Sequence, residues 1–256
     1  MVKTIIGAFP GTKRTIVSDG SAILNISECF SNTVQGENFS GYPSVFLRLQ
    51  HCSLNCNYCD TTEVWRKGNP YTILELLELW GEAGVILQLV QGHHLVVTGG
   101  SPLLQQESLL ELFTRLEKSV NWNDDIFIEI ENEAVLMPQK LLNNFVNQWN
   151  NSPKLSNSGM KKELRYKPEV IRYLGTLRNS VFKFVISKEE EDWKEIEDDF
   201  LKPELIRRNQ IVLMPEGSTR KELQERYISL VDLCCREGVR MCDRLQVTIF
   251  DKVVGC

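Results

Sequence analysis

The chain of 256 residues has no apolar run approaching the roughly 20 residues that cross a bilayer. Its early apolar stretch, 4–9, is too short for the core of a secretory signal and runs into Pro10 and Gly11. The chain also lacks a basic excess: 29 Lys and Arg stand against 34 Asp and Glu, a formal charge of −5. Nucleic acid is therefore not expected as a partner, because neutralising phosphates takes a basic face. The acidic run around 188–199 reads as a solvated helix face. Internal repeats and low-complexity tracts are missing, and no segment reads as a linker, so a single domain covering 1–256 is expected. Histidine is scarce. Two of the three, His93 and His94, adjoin at the start of a strand candidate, where neighbours point to opposite faces and share no ligand role. A cytoplasmic protein with no membrane partner is the expectation.

Cysteine is present but unevenly spread. Of eight, three lie in Cys52-Ser-Leu-Asn-Cys56-Asn-Tyr-Cys59, a C-x3-C-x2-C triplet. A tight cluster in a cytosolic chain reads as a metal site rather than a disulfide framework. A ferredoxin-type carrier needs a fourth cysteine in ligand spacing, and structural zinc wants four closed ligands. Neither is supplied nearby, and His51 is poorly spaced to complete a set. Three thiolates can instead hold three irons of a cubane and leave the fourth open. Cys29, Cys242, Cys256 and the helical pair Cys234 and Cys235 read as incidental or packed thiols.

Around this triplet, apolar strands alternate with amphipathic helices. Strand candidates are 44–49, 94–98, 126–130, 181–186, 210–214 and 245–250. Helices are expected at 72–83 and 219–237, each with a Thr/Glu capping-box pair (Thr72 and Glu75, Thr219 and Glu222). Others are expected at 107–118, after Pro138, and between the strands at 181–186 and 210–214. Residues 1–24, with Pro10-Gly11 and Asp19-Gly20 as turn signals, suggest an N-terminal hairpin extension. Segments 155–178 and 188–208 read as peripheral insertions. The alternation implies a mostly parallel sheet covered by helices. The cysteines, Gly99-Gly100, Glu131-Asn132 and Pro215-Glu216-Gly217 each follow a strand, so they should converge on one face.

The triplet, with aromatic Tyr58 before its last cysteine, resembles the signature of the radical S-adenosylmethionine (SAM) superfamily. In that superfamily the open iron binds the amino and carboxylate groups of SAM, and electron transfer into the sulfonium releases methionine and a 5′-deoxyadenosyl radical. Thr98-Gly99-Gly100-Ser101-Pro102 is similar to its Gly-Gly-Glu-Pro segment, which contacts the SAM amino group. Ser101 departs from the usual glutamate, and a hydroxyl accepts from an amino group without the charge assistance of a carboxylate. A closer resemblance, to the 7-carboxy-7-deazaguanine synthase family, rests on Gln35-Gly36-Glu37, Gly41-x-Pro43, Phe46-Leu-Arg48, Cys59-Asp60-Thr61, Ile128-Glu-Ile-Glu131, Ser152-Pro153-Lys154, Lys183-Phe-Val-Ile and Met214-Pro215-Glu216-Gly217.

That resemblance implies an α/β fold, an incomplete TIM-like (βα)6 barrel. It also implies a radical ring contraction of 6-carboxy-5,6,7,8-tetrahydropterin to 7-carboxy-7-deazaguanine with loss of ammonia. Val34, Gln35, Gly36, Glu37, Arg48 and Thr98 would meet the pterin, Arg48 taking its carboxylate. Tyr58, Cys59, Asp60, Gly100, Ser101, Ser152, Pro153, Lys154 and the 214–217 segment would hold SAM, and Thr61 a Mg2+ ion. A homodimer and a flavodoxin- or ferredoxin-type reductant are further expectations. The family's C-terminal residue reaches substrate, a role not carried onto Cys256. The rival readings are a glycyl-radical activase and a non-catalytic iron–sulfur or zinc module.

Overall fold

Side-chain alternation along the strands sets the architecture. The computed structural model describes residues 2–7, 17–120 and 126–251. The turn signal Pro10-Gly11 and the tail Gly255-Cys256 lie outside the described residues. Among the described residues the strands are β1 (Lys3–Ile6), β2 (Ile23–Val34), β3 (Pro43–Leu49), β4 (Asn69–Thr72), β5 (His94–Gly99), β6 (Ile128–Asn132), β7 (Val146–Asn151), β8 (Ser180–Ile186), β9 (Ile211–Pro215) and β10 (Arg240–Met241). They form one sheet ordered β1-β2-β3-β5-β6-β7-β8-β9-β10, with β4 also on β2. From β3 to β10 every neighbour is parallel. The antiparallel pairs all involve β2, which lies against β1, β3 and β4. The sheet is open, ending at β1 and β10.

The helices are α1 (Thr62–Trp65), α2 (Ile73–Ala83), α3 (Val85–Val90), α4 (Gln106–Ser119), α5 (Lys162–Arg165), α6 (Pro168–Thr176), α7 (Glu189–Ile196), α8 (Arg220–Glu237) and α9 (Leu245–Phe250). They cover the outer face of the sheet. Val45, Leu47 and Leu49 of β3 join Leu95, Val97, Ile128, Ile130, Phe182 and Phe184 in one apolar layer with α2 and α4 side chains such as Trp80 and Phe113. Each fully buried side chain of this size contributes about 1.5–3 kcal/mol. Because strand side chains alternate, Arg48, Thr98, Glu129, Glu131 and Lys183 project from the opposite face. The inner face is thus polar, with a small apolar cluster of Val181, Val185, Val212, Met214 and Cys242 packed against Tyr58.

Several sequence expectations need correction. The expected strand at 245–250 is helix α9, in which only Val247 is buried. The amides of Val247 and Thr248 bond to the Arg244 carbonyl, so this segment satisfies its backbone without a partner strand. The helix expected after Pro138 is a single 3-10 turn, Lys140–Asn144. Segments 155–178 and 188–208 are not appendages. They carry α5, α6 and α7, the crossovers into β8 and β9, and bury Val170, Ile171, Leu174, Trp193 and Ile196 in the main core. The N-terminal strands are antiparallel neighbours, as a hairpin requires, but β2 runs on to Val34 as the inner partner of β3.

α8 begins with the reciprocal cap its sequence suggests: Thr219 Oγ1 accepts from the Glu222 amide at 3.2 Å, and Glu222 accepts from the Thr219 amide at 3.1 Å. Farther along α8, Cys234 is buried and Cys235 exposed. Replacing Thr219 with Ala is expected to cost about 1 kcal/mol, measured as a lower urea midpoint at unchanged m-value.

Candidate active site

The cysteine loop, Gly99-Gly100, Glu131–Glu133, Ser152–Lys154 and the segment after β9 lie at the C-terminal ends of parallel strands, where an open α/β sheet binds ligands, while the 34–37 loop follows the antiparallel β2. They enclose a cavity of about 530 Å³. Val34, Gln35, Gly36, Glu37, Arg48 and Thr98 all line it, as do Cys52, Cys56, Cys59, Tyr58, Asp60, Thr61, Gly100, Ser152, Lys154 and Met214. Ser101, Pro153, Pro215, Glu216 and Gly217 do not.

The three thiols of the triplet are free and half-buried. Burial pushes Cys52 and Cys56 up, while Lys154 draws Cys56 back down. At Cys59 burial also raises the thiol, but hydrogen bonds from Thr62, Trp65 and Thr61 outweigh it and leave the pKa lowered. No three His, Cys, Asp or Glu side chains among the described residues converge on one point as for a mononuclear ion. A cubane does not ask for that, since each thiolate binds a different iron. Three free thiols around one cavity wall fit such a cluster. The Thr61 hydroxyl lies 3.8 Å from Cys59 Sγ.

Two glycines bring the cysteine loop into place. Gly99 has φ of +147°, and a Cβ there would sit 2.4 Å from the Leu49 carbonyl oxygen. A Cβ on Gly100 would fall 2.0 Å from the His51 carbonyl oxygen and 2.8 Å from Cys52 Cβ. The end of β5 therefore lies directly on the chain entering the triplet, and the Ser101 amide bonds to the His51 carbonyl at 2.8 Å. Gly100→Ala should push the triplet aside. Iron and sulfide content after anaerobic reconstitution should drop well below wild type while far-UV circular dichroism is retained.

Ser101 is where the structure departs from the expected SAM contact. It is fully buried, its hydroxyl accepting from the Ser53 amide at 2.9 Å and lying 3.6 Å from Cys52 Sγ. The side chain stands behind the cysteine loop rather than in the cavity wall.

The other half of the cavity is organised by a buried carboxylate. Glu129 Oε2 accepts from Asn150 at 2.7 Å and Gln35 Nε2 at 3.1 Å, and Oε1 lies 2.6 Å from His94 Nδ1. Phe127 stacks on one side of the His94 system at 4.1 Å between ring centroids. Gln35 Oε1 in turn accepts from the Gly36 and Glu37 amides at 2.7 and 3.2 Å. The Gln35 side chain thus ties the 34–37 loop to Glu129 while lining the cavity. Glu37 is ion-paired with Lys183, whose ammonium burial pushes down to about 8. Arg48 donates Nε to Glu28 at 2.7 Å, which orients its guanidinium fork. Arg244 holds Asp60 and donates to the Gly217 carbonyl at 2.7 Å, tying two expected SAM segments together.

Glu28, Glu129, Glu133, Lys183 and Arg244 were not among the expected site residues. Only Glu28, Glu129 and Lys183 carried a signal, as charges at alternate positions of otherwise apolar strands. Thr98 donates to Glu131 at 2.8 Å. Burial raises the Glu131 pKa from 4.5, opposed by that hydrogen bond and by Arg48. A carboxyl raised in the fold penalises folding once the pH exceeds its unfolded value. Glu131→Gln should therefore be more stable than wild type at pH 7.5, with the gain vanishing below pH 4.5, its unfolded value. Urea midpoints at the two pH values measure this; a gain independent of pH would contradict it.

Three free thiols beside a cavity lined by charged and apolar side chains, at the C-terminal edge of a parallel sheet, define the class: an iron–sulfur protein with room for a ligand on its cluster. Residues 34–145 match the family model described as a 4Fe-4S single cluster domain. The 7-carboxy-7-deazaguanine synthase of Pyrobaculum aerophilum is 30% identical over 233 residues, covering 91% of this chain and 97% of that protein. That of Rhodopirellula baltica is 28% identical, covering 94% and 90%. The chain belongs to the 7-carboxy-7-deazaguanine synthase family. The crystal structure of QueE from Escherichia coli shares the fold, with a TM-score of 0.64 at 22% identity over 88% of this chain and 95% of that one.

Proposed function

We propose that this cavity carries out the ring contraction of 6-carboxy-5,6,7,8-tetrahydropterin to 7-carboxy-7-deazaguanine, with loss of ammonia. The observation that carries the reading is that the triplet and all six residues expected at the pterin line one cavity. Cys52, Cys56 and Cys59 would hold the [4Fe-4S] cluster, with SAM on its open iron. When bound, the cluster and SAM supply the one-electron chemistry that abstracts hydrogen from the substrate.

The chain supplies binding and orientation. Arg48, held by Glu28 through Nε, presents its remaining donors to the substrate carboxylate, the bidentate match a planar guanidinium favours. Glu37 and the backbone of the 34–37 loop meet the donor–acceptor edge of the pterin. Their placement comes from Gln35 and Glu129 beneath and Lys183 beside them. Thr98, fixed by Glu131, contacts the substrate from β5. Thr61 would ligate Mg2+, a cation that takes few protein ligands and would offset the charge of the substrate carboxylate. Tyr58, Asp60, Gly100, Ser152 and Lys154 hold SAM, and Arg244 braces Asp60 from the opposite side.

The reading extends to an incomplete (βα)6-type barrel formed by the parallel strands, acting as one catalytic domain, and to a homodimeric, cytoplasmic enzyme. A flavodoxin- or ferredoxin-type protein would deliver the electron. No helix among the described residues is long and apolar enough to cross a membrane.

The test is anaerobic incubation of the reconstituted protein with SAM, reductant, Mg2+ and 6-carboxytetrahydropterin. Mass spectrometry should show 7-carboxy-7-deazaguanine, and its absence would sink the assignment. Arg48→Lys, which keeps the charge but loses the fork, should raise KM for the pterin by about tenfold or more with a smaller change in SAM affinity.

A further inference from the structure

We propose that Glu133 supplies the carboxylate that receives the α-amino group of SAM, in place of the side chain at position 101. The inference rests on the SAM-binding reading above and assigns that ligand's amino end to a residue outside the expected set.

Position 101 cannot serve. Its hydroxyl is fully buried, engaged by the Ser53 amide and Cys52 Sγ, and absent from the cavity wall. Glu133, by contrast, lines the cavity at the end of β6 and is only 5% exposed. Its Oε1 accepts from Ser53 Oγ at 2.8 Å. Its Oε2 is buried and has no hydrogen-bond partner among the described residues. A buried acceptor left unpaired costs about 1–3 kcal/mol, and more when charged. A side chain held in that state at a cavity wall is built to receive a donor from a ligand.

The placement identifies the donor. Ser53 Oγ lies 3.1 Å from Ser101 Oγ, and Ser101 Oγ lies 3.6 Å from Cys52 Sγ. Glu133 is therefore linked to a cluster cysteine through two hydroxyls, on the triplet side of the cavity. The pterin side is served by Arg48, Glu37 and Thr98, whose partners are already assigned. Next to the cluster, the group offering N–H donors is the amino end of SAM, and SAM also carries a sulfonium charge that an anionic wall stabilises. The turn that holds Glu133 is rigid: Asn132 Oδ1 accepts from the Ala134 amide at 2.7 Å, and Ala134 has φ of +57°.

The full-length protein, anaerobically reconstituted, provides the test. SAM affinity is measured by equilibrium dialysis, and the reduced cluster is examined by electron paramagnetic resonance with and without SAM. Glu133→Gln, nearly isosteric, and Glu133→Ala should both load the cluster. Both should bind SAM more weakly than wild type, the alanine variant by about 10- to 100-fold, with a diminished SAM-induced change in the spectrum. Ser53→Ala, which removes the hydroxyl between Glu133 and Ser101 but leaves the Glu133 carboxylate in place, should stay within about threefold of wild type. Wild-type SAM affinity in both Glu133 variants would overturn the proposal, and so would equal losses in Glu133→Ala and Ser53→Ala. A wild-type spectrum that does not respond to SAM would overturn the underlying SAM reading as well, so the two failures are distinguishable.

Discussion

The site depends on a close approach of backbone to backbone. Gly99 and Gly100 let the end of β5 rest on Leu49 and His51, at distances where any side chain would collide with a carbonyl oxygen. That contact fixes where the chain leaves β3 and begins the triplet. Everything carried by the loop inherits the position: Cys52 with its Ser101 support, Cys59 with Thr61, and Asp60 within reach of Arg244. A cluster ligand set needs this kind of support, because bound thiolates tolerate little displacement and their surroundings tune the metal. The glycines and the cysteines lie some forty residues apart in sequence, yet they act as one structural unit.

A second constraint is the cost of the polar inner face. Glu28, Glu129 and Glu133 are all nearly inaccessible, and Glu131 stands beside them. An unpaired carboxylate in such surroundings would cost several kcal/mol. Most of these are matched: Glu28 by Arg48, Glu129 by His94, Gln35 and Asn150, and Glu131 by Thr98. The carboxylates of β2 and β6 find their partners on β3, β5, β7 and the loop after β2, so satisfying the charges also ties neighbouring strands together. A closed barrel fills its interior with branched apolar side chains. Here that volume is given to a ligand cavity, and stability is drawn from the helix-covered outer face.

Much of this was legible where a local pattern met its structural role. Strands β3, β5, β8 and β9 are short apolar runs, α2, α4 and α8 show helical spacing, and α2 and α8 add threonine caps, so each stands close to its expected place. β7 was illegible because Val146-Asn-Gln-Trp-Asn-Asn151 is rich in residues disfavoured in strands. Its amides are spent on tertiary partners, Asn150 on Glu129 and Asn151 on Ser180. α9 misled in the opposite sense, a short period-two run that buries a single residue. At the site, the triplet and the 34–37 and Arg48 segments could be placed on one cavity because their motifs are local. Glu133 was not, since its meaning lies in a missing partner, a property only three dimensions reveal.

The 34–37 loop and the C-terminal end of the described residues meet at the cavity, where the last segment is helical. A Cβ on Gly36 would lie 3.3 Å from Leu245 Cβ and from the Gln246 side chain, so the 34–37 loop packs directly under the start of α9. Arg244, immediately before α9, is held at Asp60 and at the Gly217 carbonyl. From α8, Arg220 donates to the Thr248 carbonyl at 2.9 Å. A helix meets its own backbone needs and can sit across a cavity mouth on side-chain contacts alone. The C-terminal segment thus touches the 34–37 loop directly and the cysteine loop through Arg244, which couples both halves of the cavity to one short element.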